Sequence, residues 1–281
     1  MPTSNPTSRP GRARLEQSER DTNRATTRVL LVLAEFATEP YEFGVTEIAE
    51  RLGMTKNMVF RALSTLVDQG YLVRTASGRR YELGYRVVEL ANTASPEPDL
   101  RMLAGPFLAR LQKATGETAV LTLRMGDSVV VIDGVEGPNP VGSRVPLGAS
   151  YPLHISPTAR AILASLPDTE VESYMTRNAP LRRLTDTTIV EPASLRKEVA
   201  LIRSQGYALG YGDATPGKVS VAFPVLDAEQ RPWGAIATGG PGERFSQARL
   251  RELLPDLRKI AADLNARSRF FTATGSPAAF A

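Results

Sequence analysis

The stretch that most constrains the fold runs from Val45 to Gly70 and has the pattern of two short helices joined by a tight turn. Its first half carries apolar residues at helical spacing, which are Val45, Ile48, Ala49 and Leu52. Gly53 is placed to end this helix, because glycine adopts the left-handed conformation of a helix C terminus without steric strain. Its second half has another apolar stripe, made of Val59, Ala62, Leu63, Leu66 and Val67. This arrangement predicts a helix-turn-helix.

The second helix of the pair has a polar and basic outer face. Thr55 is a candidate N-cap, since a threonine hydroxyl accepts a hydrogen bond from the first helical turn. We expect this helix to enter a DNA major groove, with contacts from Thr55, Lys56, Asn57, Met58, Arg61 and Thr65. Arg61 is suited to guanine and Asn57 to adenine by the geometry of their donors. For Phe60, packing toward the following hairpin is preferred over contact with a thymine methyl group.

The segments on either side extend this pattern to a small domain. A helical stripe between Arg28 and Ala37 is expected to complete a three-helix core. After Gly70, two short β-type runs surround the Ser-Gly turn at residues 77–78, which predicts a hairpin, or wing. Arg79 and Arg80 are expected at its tip, where they would reach phosphate or the minor groove. Solvated arginines without a ligand are the alternative.

Composition excludes several classes of protein. The chain has 281 residues, a net charge of +4 and no cysteine, so it has no disulfide, thiolate metal site or cysteine nucleophile. His154 is the single histidine and is expected to be structural, and no cofactor or metal is predicted. No apolar run is long enough to span a membrane, and we expect a cytoplasmic protein.

The rest of the chain predicts a second, larger domain. Residues 1–24 are expected to be a disordered basic tail, 25–84 the DNA-binding domain and 85–98 a linker helix. Residues 99–268 alternate helical stripes with paired β-type runs, which favours an α+β fold on an antiparallel sheet. Residues 269–281 are expected to be a frayed tail.

Several blocks in this order resemble the IclR family of bacterial transcription regulators. They are RVLLVLAEFA, VTEIAERLGMTKNMVFRALSTLVDQGYLVR, RRYELGYRVVELA, TGETAVLTLRMGDSVVVIDGVEG, YPLHISPTARAILA, LRRLT, SQGYALG and VSVAFPV. The resemblance implies a winged helix-turn-helix, a linker helix and a GAF-like effector domain. It also implies homodimers or dimers of dimers that bind double-stranded operator DNA and respond to a small organic acid or an aromatic compound. The residues leave repression and activation open.

The resemblance also implies where an effector would bind. Family pocket positions fall on Pro157, Thr158, Gly210, Ser220, Ala237 and Gly239. Four of these, Pro157, Gly210, Ala237 and Gly239, lack the side-chain donors found in family members that bind small 2-oxo acids. A buried carboxylate needs hydrogen bonds, so these departures favour a larger or more apolar effector over a glyoxylate-like acid.

Two other classes of function remain as alternatives. One is an enzyme built on a GAF-like domain, but methionine sulfoxide reductases of that fold act through cysteines, which this chain lacks. The other is a winged helix that contacts protein or RNA instead of DNA.

Overall fold

The computed structural model describes residues 24–37, 40–93, 100–139 and 147–270. It forms two compact units, Met1–Ala94 and Ser95–Ala281. Most of the predicted N-terminal tail, the boundary segment at 95–98 and nearly all of the predicted C-terminal tail lie outside the described residues.

The N-terminal unit is a small helical domain with a two-stranded hairpin. Its elements are α1 (24–35), α2 (Val45–Leu52), α3 (Lys56–Asp68), β1 (Leu72–Arg74), β2 (Tyr81–Leu83) and α4 (Tyr85–Thr93). β1 and β2 pair antiparallel, with Val73 opposite Glu82. The core takes one apolar face from each of the first three helices, and includes Val32, Phe36, Ile48, Val59, Leu63 and Leu66. The winged helix-turn-helix is confirmed.

The turn between α2 and α3 follows from its capping residues. Gly53 has φ 62°, in the left-handed region, and its N–H bonds back into the last turn of α2. Thr55 then accepts a hydrogen bond from the Met58 N–H at 3.4 Å, as an N-cap does. These two residues fix where one helix ends and the next begins.

Phe60 lies outside the core of this unit. Its side chain is on α3, is 47% exposed and is absent from the core residues. Val59 and Leu63 on the same helix are fully buried. Packing of Phe60 toward the hairpin stays a prediction.

The C-terminal unit is a six-stranded antiparallel sheet with helices on both faces. Its elements are α5 (Leu100–Thr115), β3 (Thr118–Met125), β4 (Ser128–Val135), β5 (Ser150–Pro152), α6 (Pro157–Ala164), α7 (Asp168–Arg177), α8 (Pro192–Gln205), β6 (Ala208–Tyr211), β7 (Lys218–Leu226), β8 (Pro232–Pro241) and α9 (Gln247–Ser268). The strand order is β5-β4-β3-β8-β7-β6. The α+β prediction is confirmed.

The two faces of this sheet carry separate cores because side chains alternate along each strand. Leu121 and Ile236 face a core shared with α5 and α9. Val120 and Ala237, their sequence neighbours, face the other core, which α6, α7 and α8 cover. The second face also contains the cavity described below.

Two strands that were not predicted, β5 and β6, form the two edges of this sheet. Both are short, and they contain Pro152 and Gly210 respectively. Proline and glycine are tolerated at sheet edges but weaken the alternating pattern by which a strand is recognised.

None of the helices in the described ranges combines the length and the apolar character needed to cross a bilayer. The 22-residue α9 has both acidic and basic residues along its length.

Substitutions at two neighbouring positions of α3 test this packing. Leu63→Ala removes a fully buried side chain and should destabilise the N-terminal unit by about 2–5 kcal/mol. Phe60→Ala, the matched control on the exposed face, should have a much smaller effect. Hydrogen–deuterium exchange of the α3 amides in the full chain measures both. Equal loss of protection in the two variants would contradict the assigned faces of α3.

Candidate nucleic-acid interface and ligand cavity

Three predicted contact residues on α3 are exposed. The side chains of Lys56, Asn57 and Arg61 point to solvent and make no hydrogen bond or ion pair within the described part of the chain. Arg79, in the turn of the hairpin, is exposed in the same way. These four residues can therefore offer donors to a ligand without first breaking an internal contact.

The other α3 residues in the predicted set are partly used by the fold. The Thr55 hydroxyl caps the helix, and the Thr65 hydroxyl donates to the Arg61 carbonyl oxygen at 3.0 Å. Met58 is half-buried, and together with Arg61 and Thr65 it lines a groove beside α1. The α1 side of this groove consists of Ala25, Arg28 and Val29. Arg28 and Arg61 thus place two positive charges along one groove.

Arg80 does not have the position predicted from the sequence. Its Nη2 donates to the Glu42 carbonyl oxygen at 2.8 Å and lies 3.0 Å from Glu47 Oε2. Its Nε lies 3.4 Å from the Glu42 carboxylate. The sequence pattern missed these contacts because Glu42 and Glu47 precede Arg80 by more than thirty residues. Arg80 therefore links the hairpin to the start of α2, and its side chain is not free at the tip.

Glu47 pairs with Arg80 and also accepts a backbone hydrogen bond at the start of α2. One of its carboxylate oxygens accepts the Gly44 N–H at 2.7 Å. That hydrogen bond, followed by the charge of Arg80, lowers the pKa of the Glu47 carboxyl against the opposing effect of partial burial. The lowered pKa favours the ionised form of Glu47, which is the form that pairs with Arg80.

The C-terminal unit contains a cavity of about 90 Å³ between the sheet and the N terminus of α6. All six residues predicted from the family resemblance line it: Pro157, Thr158, Gly210, Ser220, Ala237 and Gly239. The remaining lining residues come from strands β3, β4, β5, β7 and β8, from the N-cap of α6 and from the loop between β6 and β7. Among them are Thr118, Tyr151, Asp213, Thr215 and Lys218, which sequence reasoning did not select.

The floor of the cavity follows from strand register. Gly210, Ser220, Gly239 and Thr118 are aligned across four neighbouring strands and share one face. A Cβ at Gly239 would lie only 2.5 Å from the Ser220 Cβ, so glycine leaves the Ser220 side chain open toward the cavity. A Cβ at Gly210 would overlap the ring of Pro157. Glycine at position 210 therefore leaves the room that the proline ring at position 157 occupies.

The wall beside α6 is shaped by the start of that helix. Ser156 is the N-cap and accepts the Ala159 N–H at 3.2 Å. The Ser156 hydroxyl also bonds to that of Thr158 at 2.9 Å. Pro157, at the first helical position, has no N–H. This helix terminus therefore offers fewer free backbone donors than a helix start of ordinary sequence.

A buried ion pair, which sequence reasoning missed, holds the same wall. Arg160 is 2% exposed, and its Nη2 lies 2.6 Å from Asp213 Oδ2 and donates to the Leu209 carbonyl oxygen at 2.6 Å. Its Nη1 donates to the Ile155 carbonyl oxygen at 2.8 Å. Asp213 lies in the loop between β6 and β7. No local pattern could pair it with an arginine 53 residues earlier.

His154 has the structural role predicted for it. It is 1% exposed, and its ring nitrogens lie 2.6 Å from the Tyr174 hydroxyl and 2.9 Å from the Arg182 carbonyl oxygen. Burial lowers the pKa of His154 and raises that of Tyr174. Within the described ranges, no group of three or more histidine, aspartate or glutamate side chains is arranged to hold a metal ion.

A winged helix-turn-helix followed by a sensor domain with an internal cavity defines a ligand-responsive transcription regulator. Two family models match the chain: the bacterial transcriptional regulator IclR C-terminal domain over residues 93–266 and the IclR helix-turn-helix domain over residues 25–76. The chain belongs to the IclR family of transcription regulators. It is a DNA-binding regulator of metabolic genes and not an enzyme.

The match to known relatives covers most of their length. The HTH-type transcriptional regulator BhcR of Paracoccus denitrificans is 32% identical over 221 residues, which cover 79% of each chain. The solved IclR transcriptional regulator from Alicyclobacillus acidocaldarius has a TM-score of 0.75 at 26% identity, covering 87% of this chain and 98% of that one. An IclR homologue from Microbacterium hydrocarbonoxydans, solved in complex with 4-hydroxybenzoate, has a TM-score of 0.73 at 23% identity and shows the shared fold. The coverage is 88% of this chain and 100% of that one.

Removing one partner tests the buried ion pair. Asp213→Ala removes the close carboxylate and leaves the buried Arg160 guanidinium with Glu198, 3.4 Å from its Nε, which should destabilise the C-terminal unit by about 3–5 kcal/mol. Glu172→Ala breaks an exposed pair with Arg196 and is the matched control, for which we expect little change. Urea unfolding followed by circular dichroism, with hydrogen–deuterium exchange in β6 and α6, measures both. Similar small effects would show that Arg160 does not depend on Asp213.

Proposed function

We propose that α3 reads an operator through the major groove, with Lys56, Asn57 and Arg61 at base edges or phosphates. The supporting observation is that these side chains are exposed and have no internal partner on a helix whose opposite face is buried. The Arg61 guanidinium fits the O6 and N7 acceptors of guanine. Met58, with Thr55 and Thr65, borders this surface and is expected to contact the DNA at its edges.

Backbone contacts complete the proposed interface. Arg79 in the wing, and Arg28 beside Arg61 in the α1 groove, have the charge and position to bind phosphate. Arg80 is assigned a different role, which is to hold the hairpin that carries Arg79. Its effect on DNA binding would therefore be indirect.

We propose that the cavity beside α6 binds the effector, a small organic acid. The observation that carries this proposal is that all six predicted positions line one cavity together with polar side chains. Its volume of about 90 Å³ is below the roughly 150 Å³ of a cavity that holds benzene. A compact acid fits within this space. An aromatic acid, as in the 4-hydroxybenzoate complex of the Microbacterium homologue, would fill it and extend toward the open side of the cavity.

We further propose that the protein acts in the cytoplasm as a homodimer or a dimer of dimers. Helix α4 carries exposed apolar side chains, with Tyr85 90% and Val88 54% exposed, which a second copy would cover. A dimer that fills two successive major grooves places its recognition helices about 34 Å apart. An effector would then act by favouring one arrangement of the copies over another.

Two arginine substitutions test the DNA-binding proposal. Arg61→Ala should reduce discrimination between operator and unrelated DNA by about 1–3 kcal/mol, because a bidentate base contact is lost. Arg79→Ala should weaken binding to all sequences and reduce the slope of log K against log salt by about 1. Fluorescence anisotropy on fragments upstream of the protein's own gene, over a salt series, gives both quantities.

Arg249→Ala, which alters an exposed arginine of α9, is the matched control and should leave both quantities unchanged. Retention of operator discrimination by Arg61→Ala would contradict the groove assignment. Binding that depends on neither sequence nor salt would favour the alternative, a winged helix that contacts protein. Footprinting with and without candidate acids tests the response to an effector.

A further inference from the structure

Lys218 is a cation in the effector cavity with no partner of its own. It begins β7 and is partly buried, and within the described residues its ammonium group makes no hydrogen bond or ion pair. The other charged residue in the lining is Asp213, whose carboxylate is held by Arg160 at 2.6 Å. Glu198, 3.4 Å from Arg160 Nε, does not line the cavity. The cavity therefore presents one positive charge that the lining itself does not neutralise.

The carboxylate whose charge acts on Lys218 is that of Glu117, which already has a partner. Glu117 is 5% exposed and holds Arg244 in two-point contact, with Nε at 2.9 Å from Oε1 and Nη2 at 3.1 Å from Oε2. Burial lowers the pKa of Lys218, and the charge of Glu117 offsets this only in part. An ammonium that loses hydration without gaining a partner is unfavourable. An anionic ligand would supply that partner.

Other groups that could bind an anion in this cavity are weak or already used. Pro157 has no N–H, and the Ala159 N–H is bonded to the Ser156 hydroxyl. Arg160 lies behind the wall with its donors directed at Asp213 and backbone carbonyls. Anion recognition at the start of α6, which helix termini often provide, is therefore poorly supported in this chain.

One hydroxyl group that can assist Lys218 lines the same cavity. Ser220 lies two residues along β7, so its side chain is on the same face as that of Lys218. It makes no side-chain hydrogen bond within the described part of the chain. Lys218 and Ser220 together supply one cation and one neutral donor. The Tyr151 hydroxyl belongs to the edge strand β5, four strands from β7 in the sheet, and lines a different part of the cavity.

We propose that Lys218 is the specificity-determining residue of the cavity and pairs with the carboxylate of a small monocarboxylic acid, with Ser220 as an additional donor. This deepens the effector site proposed above and rests on it. None of the six positions mapped from the family provides a charge, so Lys218 gives this chain a route to carboxylate binding that those positions lack.

The test compares acids with their neutral amides. Acetate, propionate, pyruvate and benzoate are titrated against acetamide, propionamide, pyruvamide and benzamide by isothermal titration calorimetry, with thermal shift as a first screen. Wild-type protein should bind at least one aliphatic acid and discriminate against its amide. Lys218→Met should weaken acid binding by about tenfold to a hundredfold and remove the discrimination, since a hydrogen bond to a charged group is lost. Lys218→Arg, which keeps the charge, should retain the discrimination.

Controls separate this inference from the effector site itself. Lys197→Met, at an exposed position of α8, should bind acids as wild type does. Ala237→Val narrows the cavity and should weaken acid and amide alike. The melting temperature of ligand-free Lys218→Met should be unchanged or higher, which shows that the variant is folded.

Three outcomes would overturn the role of Lys218. They are equal acid binding by Lys218→Met and wild type, preference of wild type for amides, and failure of every acid in the panel to bind. In the first two outcomes, sensitivity to Ala237→Val would leave the cavity as the effector site. If Ala237→Val left the ligand affinity unchanged, the ligand would bind elsewhere, which would contradict the proposed effector site.

Discussion

The effector domain depends on one buried guanidinium. Arg160 extends from α6 to the Leu209 carbonyl oxygen of β6 and to Asp213 in the following loop. It thereby connects a helix, an edge strand and a loop. Because an unpaired buried charge is strongly destabilising, these three segments keep their positions together or separate together. The cavity wall is made from them, so its shape depends on this ion pair.

The DNA-binding unit also contains an arginine whose ion pairs link separate segments, but these ion pairs are more exposed. Arg80 connects the second strand of the wing to Glu42 and Glu47 at the start of α2. Exposed ion pairs add little stability. We therefore interpret the contacts of Arg80 as orienting the wing more than stabilising the fold. That orientation determines where Arg79 lies relative to α3. Internal pairing of one arginine thus positions its neighbour for a ligand.

The sequence predicted what is encoded locally. Helices α2 and α3, the Gly53 turn and the Thr55 cap each depend on residues a few positions apart. The edge strands β5 and β6 were missed because proline, glycine and short length obscure their alternation. The carboxylate partners of Arg80 and Arg160 were missed because they lie 33 or more residues away in sequence.

The cavity shows why its location was easier to predict than its chemistry. The six positions mapped from the family carry small residues and one proline, and these residues set the shape of the cavity floor and wall. The unneutralised charge comes from Lys218, at the end of a loop and outside the mapped set. Position in the fold follows from the backbone register that relatives share, whereas charge changes with a single side chain. A relative's effector therefore does not transfer with the pocket, and the ligand class has to be argued from the groups that line this one.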